Sequence, residues 1–150
     1  MKVKKGLTGL LLVSLMATLT VPVQAAEQTT LIHANVGSSY TLTIPKETTI
    51  DVNALTTPLN GTIKVTGNIL STENVVVSAV TQPLHNDDQN ADLPYTLKNG
   101  NQAFTSVNFN QNDLKSTKEV QLQIAINQED WNQAPAGSYN GSIVFNAELQ

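Results

Sequence analysis

The stretch Gly137–Gln150, GSYNGSIVFNAELQ, alternates between apolar and mainly polar side chains, and this alternation indicates the fold class. A side-chain period of two is typical of a β-strand with one buried face. The pattern predicts a long strand that lies inside a sheet, with the rest of the chain arranged to bury its apolar face. That face carries Tyr139, Ile143, Phe145, Ala147 and Leu149.

Other segments alternate in the same way and are separated by turn signals such as Asn60-Gly61. Tyr40, Leu42 and Ile44 form one such segment, which Pro45 ends because proline cannot continue a strand ladder. The segment Ile63–Ile69 also alternates, and Gly67 within it predicts a bulge or a close backbone approach. Similar alternation occurs at Ala103–Phe109 and Glu119–Asn127.

The apolar run Val75–Val80 predicts a central strand that is buried on both faces. Three polar segments predict loops or connections, and no segment predicts a helix. About seven to eight short strands at this spacing predict an all-β antiparallel sandwich, with a closed barrel as the alternative. The polar segments are Thr81–Asp92, Asn110–Lys118 and Gln128–Ala136.

The N-terminus predicts a secretory signal peptide over residues 1–25. Three lysines among the first five residues precede an apolar run from about Gly6 to Val21, and the segment ends in Val23-Gln24-Ala25. A membrane anchor is the alternative, but the run is short for a span of about 20 residues. We expect cleavage after Ala25, with Ala26 as the second choice, and no membrane span afterwards. Residues 26–150 then form one domain, in which residues 26–38 are a first strand or an extended arm.

Composition narrows the classes of partner. Cleavage would remove three of the eight lysines and none of the twelve acidic residues, which leaves five lysines against twelve acids and a charge of −7. The chain contains no arginine, so it lacks the basic surface that binds nucleic acid or anionic membranes. It also contains no cysteine, so a core and sheet hydrogen bonds must stabilise the domain without disulfides. These features favour export from a bacterium, with a preference for Gram-positive bacteria.

Two segments carry a resemblance to known proteins. Ala136–Phe145, AGSYNGSIVF, resembles the last strand of small exported bacterial β-sandwich proteins, including fimbrial and spore-coat-type subunits. Tyr40–Lys46, YTLTIPK, resembles the opening strand of such proteins in Gram-positive bacteria. The resemblance covers about a third of residues 26–150. It implies an immunoglobulin-like sandwich and a cell-surface or extracellular setting, and it implies no catalytic residues.

An acidic segment supplies the metal candidates. Asp88, Asn90 and Asp92 occupy alternate positions, as the first oxygen ligands of a calcium loop do. The helix–loop–helix form of that loop is excluded, because Leu93 stands at the position of its turn glycine and Asn99 at that of its bidentate glutamate. An irregular calcium site remains an alternative to an ordinary solvated loop, and no other cofactor is predicted.

No other motif points to one particular kind of catalytic or binding site. A metal site with His33 and His85 would need a carboxylate from a third segment. No Gly-x-Ser-x-Gly nucleophile motif occurs, and the twelve acids single out no glycosidase pair. Trp131, with Tyr139 near it, is a candidate for an aromatic sugar platform, although a lone tryptophan in a small domain more often packs over the core.

These observations predict a non-enzymatic secreted or cell-surface protein. The more specific hypothesis is a structural, fibre-forming or adhesion subunit whose partners are other copies of itself or components of the cell envelope. Residues 26–36 would be the donor of an added strand, with contacts from Leu31 and its neighbours. The alternative is an extracellular module that binds a glycan or a protein through its loops.

Overall fold

The computed structural model describes residues 30–150, and the predicted signal peptide lies outside the described residues. The chain divides into two compact units, Met1–Ala34 and Asn35–Gln150. In the first unit, the described residues 30–34 form neither helix nor strand. The second unit contains all the elements that follow.

The second unit consists mainly of short antiparallel strands, with two helices of six residues each. The strands are β1 (Ser39–Thr43), β2 (Thr56–Pro58), β3 (Ile63–Asn68), β4 (Asn74–Thr81), β5 (Leu84–Asn86), β6 (Ala91–Leu93), β7 (Thr96–Asn99), β8 (Gln102–Ala103), β9 (Ser106–Asn110), β10 (Glu119–Val120), β11 (Gln123–Ala125) and β12 (Ile143–Leu149). The helices are α1 (Gln111–Ser116) and α2 (Gln128–Gln133). The all-β antiparallel prediction is confirmed.

Ten of the twelve described strands form two layers around one core, and β5 and β6 form a separate hairpin. One layer has the order β12-β4-β9, and the other joins β1-β3-β10 to β2-β11-β7-β8. The join lies where the Leu59 amide donates a hydrogen bond to the Leu122 carbonyl at 2.9 Å. Between the layers, Val77 and Phe109 of the first belong to the same buried cluster as Val65 of the second. This arrangement is a β-sandwich.

The strands are more numerous and shorter than predicted. The segment that was predicted as one strand, Glu119–Asn127, is interrupted at Gln121 and Leu122 and gives β10 and β11. The predicted loop Thr81–Asp92 contains most of a hairpin, in which β5 pairs with β6. The interruption arises because β10 pairs with β3 whereas β11 pairs with β2 and β7, and a local pattern does not contain these distant neighbours. The hairpin was missed because its strands have three residues each, too few to show an alternation.

Two predicted loops contain the helices. The Asn110 side chain accepts hydrogen bonds from the amides of Asn112 and Asp113, and the Asp113 carboxylate accepts one from the Asn110 amide. This capping box satisfies amides at the start of α1, and Leu114 anchors the helix in the core. The prediction of no helix was wrong because six residues are too few for a visible period of 3.6.

The structure also corrects the predictions for two strands, the burial of β4 and the position of β12 in its sheet. The strand β4 is central in its sheet, as predicted, but it is not buried on both faces: Val75 and Val77 are fully buried, whereas Val80 is 56% exposed because only one face of this layer meets the core. The C-terminal strand begins at Ile143 and lies at the edge of its sheet, where β4 is its one strand neighbour within the described residues 30–150. Four residues of its predicted apolar face are half-buried against the core, and Leu149 is exposed.

Candidate functional site

The unpaired edge of β12 is the feature that points most directly to binding. Gln150 and Asn74 exchange two backbone hydrogen bonds of 2.8 Å, and residues of an antiparallel pair alternate between bonded and non-bonded positions. The register of β12 with β4 therefore directs the backbone groups of Ile143, Phe145, Ala147 and Leu149 away from β4. Within residues 30–150, no strand pairs with this side of β12.

Beside the first half of this edge lies a cavity of about 520 Å³, which we call the edge groove. One wall is the segment that follows β1, residues 44–52, and the opposite wall is the segment that leads into β12, residues 137–145. The lining also includes the buried side chains of Leu59, Leu93 and Ile124. The groove therefore combines an unpaired strand edge with a lining of both apolar and polar side chains.

Hydrogen bonds to neighbouring segments fix both walls. Lys46 donates its amide to the Asn60 carbonyl at 2.8 Å, and the Asn60 amide donates to the Thr48 hydroxyl at 2.9 Å. On the opposite wall, Asn140 and His85 exchange two backbone hydrogen bonds of 2.8 and 2.9 Å. Because each wall is held independently, the groove is a preformed feature of the sandwich.

Aromatic residues are concentrated in the groove. Trp131 and Tyr139 both line it, so the structure brings these two predicted residues together. Their polar groups are already satisfied: the Trp131 indole donates to the Ala54 carbonyl at 3.0 Å, and the Tyr139 hydroxyl donates to the Pro135 carbonyl at 2.9 Å. Their rings are therefore the parts available to a ligand, and a role in sugar binding stays a prediction.

Tyr95 also lines the groove and is the residue that sequence reasoning missed. It is half-buried, and burial raises the pKa of its phenol because the phenolate is poorly solvated there. Within residues 30–150 its hydroxyl makes no hydrogen bond, in contrast to the hydroxyls of Tyr40 and Tyr139. No local motif marks Tyr95, because only the fold brings it to the groove.

The predicted calcium ligands lie elsewhere, at the β5–β6 hairpin. Asp88 and Asn90 are in its turn, which the Asn86 side chain closes by accepting the amides of Asp88 and Gln89 at 3.1 and 3.2 Å. Asp92 faces His85 across the hairpin, with 2.7 Å between Oδ1 and Nδ1. Over the described part of the chain, no three His, Cys, Asp or Glu residues are grouped to hold a metal.

The far end of β12 is close to the point where residues 30–38 join the domain. The Ser38 hydroxyl donates a hydrogen bond to the Glu73 carboxylate and accepts one from the Leu70 amide. The hydrogen bond from Ser38, and then that from Leu70, lower the pKa of Glu73 because they stabilise the carboxylate. Ser38 is therefore fixed beside Asn74, which pairs with the last residue of the chain.

No helix among residues 30–150 has the length and apolar character needed to cross a bilayer. No family model, curated protein or solved structure matches the chain.

Proposed function

We propose that this protein is a non-enzymatic, exported surface subunit that joins to other copies of itself by strand addition. The observation that carries the proposal is the unpaired edge of β12 beside a groove whose lining includes buried apolar side chains. Exposed strand edges pair readily with an extended segment of another chain, and neighbouring pockets select its side chains.

The segment that precedes β1 has the character of a donor strand. Leu31, Ile32 and Val36 are 77%, 88% and 72% exposed, and residues 30–38 pair with no strand of the described chain. A strand period of two places Ile32 and Val36 on the same face, with Ala34 between them. Burying this face in the groove of another copy would remove exposed aliphatic surface from water.

The positions of donor and acceptor favour a head-to-tail arrangement. The donor segment ends at Ser38, beside the last residues of β12, whereas the groove lies beside the first residues of β12. These points are separated by the length of β12, about 20 Å at 3.3 Å per residue. A donor leaving one end of the domain would then fill the groove at the other end of the next copy, which gives an open filament unless the copies close into a ring.

Size-exclusion chromatography with light scattering tests the proposal on Ala26–Gln150 beside Gly37–Gln150. We expect the longer chain to assemble as concentration rises and the shorter chain to remain a monomer. Ile32→Asp should abolish assembly, because it places a carboxylate in the apolar contact. His33→Asp, on the opposite strand face of the donor, is the matched control. Monomers of both lengths at every concentration would refute strand addition.

A ligand-binding module is the second candidate, because Trp131, Tyr139 and Leu84 of the β5–β6 hairpin line one groove. Aromatic rings beside a polar rim are suited to stacking on sugar rings. A glycan array probed with the purified protein tests this function. Binding that Trp131→Ala abolishes, with the circular dichroism spectrum retained, would support it, and an array without bound glycans would count against it.

A further inference from the structure

Tyr40 links the two layers at their open side. It lies on β1, and its hydroxyl donates a hydrogen bond of 3.0 Å to the backbone carbonyl of Ala147 on β12. The two strands share no backbone pairing, since among the described strands β1 pairs with β3 alone and β12 with β4 alone. A side chain therefore closes a gap between two strand edges.

The carbonyl that Tyr40 contacts is one that an added strand would use. Ala147 belongs to the set of β12 residues whose backbone groups point away from β4. An added strand must lie within about 4.8 Å of β12, in the space where the hydroxyl end of the Tyr40 side chain sits. Pairing at Ala147 would thus require the loss of the Tyr40 hydrogen bond and the movement of its ring.

The first part of β12 carries no such obstruction. Within residues 30–150, the outward backbone groups of Ile143 and Phe145 have no hydrogen-bond partner, and both residues line the edge groove. We propose that Tyr40 stops strand addition before Ala147 and so fixes the register of the incoming segment in the groove. This inference rests on the proposed function, and its occupant is residues 30–36 of a second copy.

The lengths of the two partners agree with this limit. The groove wall from Tyr139 to Phe145 and the donor segment of residues 30–36 both contain seven residues. Each spans at most about 20 Å when extended. A stop before Ala147 would therefore leave room for this segment and exclude slippage of the donor toward the end of β12. Without a stop, the regular edge of β12 would allow slipped registers.

Amide hydrogen exchange measured by NMR tests the stop. The acceptor is Ala26–Gln150 carrying Ile32→Asp and Val36→Asp, which disable its own donor segment, and the donor is a synthetic peptide of residues 26–38. We expect the peptide to slow exchange at Ile143 and Phe145 and to leave Ala147 and Leu149 unchanged. Adding Tyr40→Phe, which keeps the ring and removes the hydroxyl, should extend protection to Ala147. It should also tighten peptide binding about two- to tenfold, because pairing at Ala147 then adds a backbone hydrogen bond without the loss of the Tyr40 hydrogen bond.

The outcomes separate this inference from the proposed function. Equal protection from Ile143 to Leu149 in the acceptor with Tyr40 would overturn the stop and leave strand addition standing. An unchanged protection pattern in the Tyr40→Phe acceptor, with its thermal unfolding midpoint retained, would also overturn it. If Tyr40→Phe prevents folding, the protection pattern of the acceptor that retains Tyr40 is sufficient to test the stop. If the peptide adds no protection at any β12 amide, strand addition and the stop are refuted together.

Discussion

Gly67→Ala should destabilise the domain more than an added methyl group at Gly100, another glycine with positive φ. Gly67 lies on β3 opposite Tyr40, with φ of +141°. A Cβ atom there would overlap the Ser39 carbonyl oxygen and lie 2.7 Å from the Tyr40 Cα. Both are backbone atoms of β1, so a side-chain rotation cannot relieve the overlap.

The expected cost has two parts. A non-glycine residue at this φ costs about 1–3 kcal/mol in backbone strain. Separating β1 from β3 at this pair disturbs hydrogen bonds of a five-residue ladder, each worth about 1 kcal/mol net. We expect a loss of about 3–5 kcal/mol in the free energy of unfolding, a large share of the stability of a small domain.

Urea unfolding followed by the fluorescence of Trp131, the single tryptophan, measures this loss. Gly100→Ala is the matched control, because Gly100 also has positive φ, +57°, but an added Cβ would meet nothing within 4 Å. The control should lose only about 1–2 kcal/mol, the cost of the left-handed conformation. If Gly67→Ala loses no more than Gly100→Ala, the close approach of β1 to β3 does not limit stability.

Three further predictions concern polar groups around the sandwich. The hydrogen bond from the Asn110 amide, and to a smaller extent Lys118, lower the pKa of Asp113. The stabilisation by the Asp113 carboxylate is therefore present above its unfolded pKa of about 4 and disappears as pH falls through its folded pKa. Asp113→Asn should make the urea midpoint less dependent on pH in that acidic range. Asn86→Ala should cost about 1–3 kcal/mol in urea unfolding, because the amides of Asp88 and Gln89 lose their acceptor, whereas no change would show that solvent replaces it. Tyr95→Phe should leave the thermal midpoint within about 2 °C, since within residues 30–150 its hydroxyl makes no hydrogen bond, and a larger drop would indicate a structural partner for that hydroxyl.

The sequence predicts the fold class because alternation is a local property. Tyr40 and Leu42, and Ile63 and Val65, lie at spacings of two and turn the same face of their strands to the core. The close approach predicted from Gly67 is confirmed by its contact with β1. The α1 start could also have been found, because Asn110 and Asp113 have the spacing of a capping box.

The sequence does not predict the place of each strand in its sheet. The period of β12 shows which side chains face the core, but it is the same for an edge strand and for a central strand. The sequence does not predict the edge groove either, since its walls come from residues 44–52 and 137–145, which are far apart in the chain. Trp131 and Tyr139 were identified as candidates by residue type, whereas Tyr95 joins them only through the pairing of β7 with β11.

The separation of Ser38 from the edge groove has a consequence for growth. An open head-to-tail assembly of this domain would have two chemically different tips, one with a vacant groove and one with an unused donor segment. A copy without residues 26–36 could occupy only the tip with the unused donor segment, and it would stop elongation there. The ratio of shortened to complete copies would then set the mean length of the polymer.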